Sequence, residues 1–80
     1  MRDYFNLSKC IITKYVIHKL SEENNISLKD AYAKFAETAT FELLQDREIE
    51  LAAKPPQAVY EMLQLELQGR IEEWEEYGME

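Results

Sequence analysis

The stretch Ile26-Ser27-Leu28-Lys29-Asp30-Ala31-Tyr32-Ala33-Lys34-Phe35-Ala36 announces a helix more sharply than any other part of the chain. Ser27 with Asp30 three residues later resembles a capping box with Asp in place of Glu. A serine hydroxyl there accepts from a first-turn amide that has no partner inside the helix. Ile26 precedes the cap and is placed to staple onto Ala31, while Ala31, Ala33 and Ala36 favour the helix and allow close packing. Ala31, Tyr32 and Phe35 are expected to face inward.

Toward the N-terminus, residues 5–23 carry apolar side chains in two rows with steps of four, Leu7–Ile11–Tyr15 and Ile12–Val16–Leu20, which predicts a first helix. A strand through 10–17 competes, because Ile, Thr, Tyr and Val are β-formers, but no second run offers it a partner. Asn24 and Asn25 supply a left-handed stop. Toward the C-terminus, Thr38 or Thr40 is placed to cap a short third helix that contains Phe41, Leu43 and Leu44 and ends near Asp46. Asp46 then caps a turn or two over 47–53, with Ile49 and Leu51 as contacts, before Lys54-Pro55-Pro56 imposes extended backbone. Pro56 opens the last helix, expected over 56–77, whose Val59, Tyr60, Leu63, Leu67, Ile71 and Trp74 advance in steps of three and four toward a Gly78 C-cap. The fold class expected is all-α, a compact bundle of three to five helices with a long C-terminal helix. Residues 1–80 read as a single helical domain, and 68–80 as the acidic-aromatic end of the last helix.

Composition agrees with a small globular class: 46% hydrophobic and 31% charged residues, with two Gly and two Pro, allow collapse and leave few breakers. A core of this size supplies only about 3–5 kcal/mol, so a partner that covers apolar surface would help. A homodimer through a Leu63, Leu67, Ile71 and Trp74 seam is one such arrangement. No run approaches the roughly 18 apolar residues of a membrane span, and the N-terminus lacks a signal-peptide cleavage pattern, so a cytoplasmic location is expected. Cys10 is the single cysteine, which excludes an intramolecular disulfide. It is expected to be a small buried hydrophobe.

The formal charge of −7 is unevenly spread. Residues 1–20 carry Arg2, Lys9, Lys14 and Lys19 against Asp3, whereas 61–80 carry seven Glu against Arg70. The acidic half would repel a phosphate backbone, so no direct nucleic-acid contact is expected. The second and third helices superficially resemble a helix-turn-helix, but the latter would offer Glu42, Gln45 and Asp46 where a recognition helix offers Arg, Lys, Asn or Gln. A single histidine, His18, and the lack of a glycine-rich phosphate loop leave no catalytic constellation, no metal site and no cofactor site to predict. The chain therefore reads as a binder and not as an enzyme.

The acidic end is the candidate site. Glu72, Glu73, Glu75 and Glu76 would oppose the dipole at the C-terminus of one long helix, and Glu72–Glu76 is a like-charge i, i+4 pair, relieved only in part by Glu66–Arg70 and Arg70–Glu73. Ile71, Trp74 and Tyr77 would form an apolar ridge flanked by these carboxylates, suited to a basic cleft on a protein partner. The competing reading is an acidic face that serves solubility.

The residues Ile26-Ser27-Leu28, Ala31, Phe35, Thr38, Thr40-Phe41-Glu42-Leu43-Leu44, Asp46 and Val59-Tyr60-Glu61-Met62-Leu63 also carry a resemblance. They look like a family of small, uncharacterised bacterial helical proteins with an Ile-Ser-X3-Ala-X3-Phe-type core and a Thr-X-Leu-Leu-like segment. Members are often encoded beside a toxin-like protein of ADP-ribosyltransferase fold. The resemblance spans roughly residues 8–65 and stops before the acidic end. It implies an antitoxin or accessory role and carries over no functional residue.

Overall fold

The computed structural model describes residues 4–49 and 51–79. Helix α1 (Tyr4–Asn24) is followed by α2 (Leu28–Ala36), α3 (Ala39–Leu44), a 3-10 turn (Leu51–Ala53), α4 (Pro56–Leu67) and α5 (Ile71–Met79), with no strand among the described residues. The N-terminal run of β-formers is thus helical, as the absence of a pairing partner requires. The shortest dimension of the molecule, 18 Å, is less than two helix diameters, so a single layer of side chains makes the core.

Local chemistry sets most of the helix ends. The α1 helix stops in a Schellman turn: Asn25 is left-handed at φ 55° and the Ile26 amide donates to the Ser21 carbonyl at 3.1 Å. Two residues on, the Asp30 amide donates to the Ser27 hydroxyl at 3.0 Å and α2 begins. Thr38 is the cap of α3; its hydroxyl accepts from the Phe41 amide at 3.1 Å and donates to the Phe35 carbonyl at 2.7 Å. Asp46 caps the next turn, accepting from the Glu48 amide at 2.9 Å.

The core is built around Ile12, Val16 and Leu20 of α1, with Ala31 and Phe35 from α2, Leu44 from α3, Leu51 from the 3-10 turn, and Val59, Met62 and Leu63 from α4. Ile26 packs against this cluster, as a staple should. Phe35 is fully buried and meets Phe41 edge-on, at 5.1 Å between ring centroids. Tyr60 joins α4 to α1: its hydroxyl donates to the Glu23 carboxylate, and its ring stands edge-on to Tyr15 at 6.5 Å. Burial first, then Glu23, raises the pKa of this phenol.

The structure corrects several expectations. The long C-terminal helix is two helices, because Gly69 at φ 76° ends α4: the Gly69 amide donates to Glu66 O at 3.0 Å and the Arg70 amide to Leu65 O at 2.9 Å, a second Schellman turn. Gly78, expected as the cap, lies inside α5. Cys10 is exposed, because neighbouring residues on a helix are about 100° apart and the α1 core row is Ile12, Val16 and Leu20. Tyr32 is likewise exposed, its ring edge-on to Phe41 at 6.1 Å.

The two left-handed residues should respond oppositely to substitution. Asn25→Gly removes a left-handed penalty and should stabilise the protein by up to about 1 kcal/mol. Gly69→Ala meets no atom within 4 Å of its new Cβ, so its expected cost of about 1 kcal/mol is backbone strain alone. Urea unfolding midpoints check both.

Candidate functional site

The break at Gly69 decides how the acidic end is presented. The Trp74 amide donates to the Arg70 carbonyl at 3.0 Å, which starts α5 directly after the turn. The helix is then fastened by its inner face. Trp74 Nε1 donates to Thr40 Oγ1 at 2.8 Å, and the Tyr77 hydroxyl donates to Glu61 Oε2 at 2.8 Å. Both rings pack against the buried cluster.

Thr40 is fully buried, and its hydroxyl passes the contact on by donating to Glu66 Oε1 at 2.6 Å. The same carboxylate accepts from the Ala39 amide at 2.7 Å and the Thr40 amide at 2.8 Å. With the Thr38 hydroxyl on the Phe41 amide and the Thr38 carbonyl on the Glu42 amide at 3.4 Å, every amide of the first turn of α3 is satisfied. Glu66 is therefore committed to α3 and does not pair with Arg70. Arg70 forms its ion pair with Glu73.

Of the residues expected at a partner surface, Trp74 and Tyr77 turn inward, while Ile71, Glu72, Glu73, Glu75 and Glu76 are exposed. The ridge of Ile71, Trp74 and Tyr77 is thus divided, with Ile71 exposed and the two rings half-buried against the core. The homodimer seam loses Leu63, which is fully buried, and Trp74, leaving Leu67 and Ile71 exposed. Splitting the long helix also changes the electrostatics. Glu72 and Glu73 stand in the first turn of α5, where carboxylates favour the dipole, Glu75 stands in its middle, and of the four only Glu76 stands in its last turn. That last turn holds no basic residue.

A second surface lies on α1. Tyr4, Leu7 and Ile11 are 65%, 58% and 53% exposed, and Lys14 and His18 continue their line in alternating steps of three and four. This is the seam spacing of a helix that meets one other helix. Beside its C-terminal half runs an open groove of about 430 Å³, lined by Ile11, Lys14, Tyr15, His18, Lys19 and Glu22. The signal for this surface lay in the two apolar rows of the first helix. Ile11 and Ile12 point about 100° apart, and with Ile12 in the core Leu7 and Ile11 of the other row are left exposed, while Tyr15 reaches the core through Tyr60. Between α1 and the α2–α3 pair lies a further depression that includes Cys10, Tyr32 and Phe41.

Among the described residues, no group of three His, Cys, Asp or Glu is placed to hold a metal ion, and no helix is long and apolar enough to cross a membrane. Comparison with protein-family models, with curated proteins and with solved structures returns no match. The described residues offer two charged, partly apolar helix faces, one on α1 and one on α5.

Two measurements probe how α5 is held. Glu66→Ala leaves three donors of α3 without their acceptor and should cost about 3 kcal/mol, less than three bonds at roughly 1.5–3 kcal/mol each would sum to, because the site is only part-buried and water takes over some of the donors. Trp74→Phe keeps an aromatic ring but loses the bond to Thr40, at about 1 kcal/mol. The two should couple in a double-mutant cycle monitored by circular dichroism.

The Glu61 carboxyl is held below its usual 4.5 by the Tyr77 hydroxyl first and the Gln57 amide second. A depressed carboxyl pKa stabilises the folded state above the unfolded pKa and ceases to do so as pH falls through the folded one. The penalty of Tyr77→Phe measured at neutral pH should therefore shrink as pH drops below about 4.5. Urea titrations of both proteins across that range test it.

Proposed function

We propose that this chain is a protein-binding module that neutralises or chaperones a basic partner, in the manner of an antitoxin or accessory protein, through the outward face of α5. One observation carries the reading. Trp74 and Tyr77 clamp the inner face of α5 to the body, so Glu72, Glu75 and Glu76 are held outward on a fixed support, beside the exposed Ile71. Glu72 suits the first turn of α5, but Glu76 stands against the dipole in the last turn and repels Glu72 at i, i+4, so folding alone gives no reason for Glu76. A fixed acidic face with an apolar neighbour speeds encounter with a basic surface and selects for it. The resemblance of residues 8–65 to helical proteins encoded beside ADP-ribosyltransferase-fold toxins supports a partner of that class.

The test separates contact from solubility. Glu75→Lys/Glu76→Lys should stabilise the free protein by about 0.3–1 kcal/mol, because a cation at 76 suits the last turn of the helix and both changes remove like-charge contacts with Glu72 at i, i+3 and i, i+4. That corresponds to a rise in Tm of a few degrees, at roughly 4–8 °C per kcal/mol for a domain of this size. The same variant should bind the proposed partner, a basic protein of ADP-ribosyltransferase fold, at least about tenfold more weakly, with the loss largest at low salt. Calorimetry reads both quantities, and a stabilised variant that binds as tightly as the parent sinks the proposal.

A further inference from the structure

The seam on α1 is a helix face without a helix. Its core row, Ile12, Val16 and Leu20, is consumed by the body of the protein, and the opposite line of Tyr4, Leu7 and Ile11 is left in water. Exposed apolar residues scattered singly need no explanation, but three at heptad spacing on one helix make a strip one helix wide. Along its C-terminal continuation lie Lys14, His18 and Lys19, the last over the Tyr60 ring at 6.0 Å, against one carboxylate, Glu22, so cations outnumber anions and the occupant that suits it is a helix with both carboxylates and apolar contact. The molecule carries such a helix. The outward face of α5 bears Glu72, Glu75 and Glu76, and Ile71 with the nearby Leu67 is exposed beside them at 47% and 41%.

We propose that the α1 seam docks α5 of a second copy of this chain, apolar strip against Ile71 and Leu67, with Lys14 and Lys19 facing the α5 carboxylates. The two faces sit on different helices, so the contact is between unlike surfaces. If reciprocal it closes as a two-fold dimer; otherwise it propagates head to tail. The pairing rests on the reading of α5 as a contact helix and extends it. Self-association occupies the same carboxylates that a basic partner would take, so partner and second copy compete.

Charge exchange tests this on the intact protein. One variant, Ile11→Glu/Lys14→Glu, makes the seam acidic; the other, Glu75→Lys/Glu76→Lys, makes the end of α5 basic. All four side chains are exposed, and circular dichroism verifies that each variant folds. Sedimentation over a dilution series should show the parent associating in a salt-sensitive manner, each variant alone remaining monomeric, and an equimolar mixture of the two associating again. Leu7→Ser, which alters no charge, should weaken association as well. A parent that stays monomeric throughout the series overturns the proposal and leaves the seam to another occupant, such as an acidic helix of a foreign protein. Association that persists in either charge variant alone overturns it too. Neither outcome touches the α5 reading, which falls only if Glu75→Lys/Glu76→Lys binds a basic protein of ADP-ribosyltransferase fold as tightly as the parent.

Discussion

The rest of the structure depends on one carboxylate. Glu66, near the end of α4, accepts from two amides at the start of α3 and from the Thr40 hydroxyl, a side chain 26 residues away in sequence. A six-residue helix is too short to stand by itself, because fixing its first turn costs more than its few hydrogen bonds return. Satisfying its leading amides with a charge supplies what it lacks. It also fixes Thr40 as a relay, since the oxygen that donates to Glu66 is the one that accepts from Trp74. Three helices are thereby registered by a single side-chain chain, and the outermost of them is the acidic one.

That fastening gives α5 two faces with different duties. Trp74 and Tyr77 commit their polar tips to Thr40 and Glu61, and their rings seal one end of the core. Opposite them, Glu73 pairs with Arg70 and Glu72 stands in the favoured first turn, while Glu75 and Glu76 face solvent. The long helix at the other end of the chain is divided in the same way, with one row of aliphatic side chains buried and another left exposed. The charge asymmetry of the termini thus becomes an asymmetry of surfaces, with an apolar seam on α1 that runs toward Lys14 and an acidic face on α5.

Local hydrogen-bonding chemistry made much of this legible in advance. Ser27, Thr38 and Asp46 each cap the turn immediately C-terminal to them, and Asn25 takes the left-handed position, because each acts on backbone within a few residues of itself. The rows Ile12–Val16–Leu20 and Val59–Leu63 lie in the core as their spacing predicts. What escaped was whatever depended on distance. Glu66 stood four residues before Arg70 and invited a local pair, yet the amides of α3 win it, since orphan donors at a helix start gain more from a charge than an exposed guanidinium does. Gly69 interrupted an unbroken 3-4 apolar pattern, and periodicity alone does not tell a continuing helix from two helices joined by a left-handed residue.

The amino-acid sequence by itself determined the helical class, the caps and the opposite charges of the two ends, because these depend on near neighbours and on composition. Only the tertiary structure decided that the acidic end is a separate helix, that Trp74 belongs to the fold while Glu72, Glu75 and Glu76 face out, and that Ile11 is left uncovered where Ile12 is buried. The physical reason is the same in each case: which face of a helix is inside depends on where the other helices stand, and here Glu66 and the turn at Gly69 set that placement.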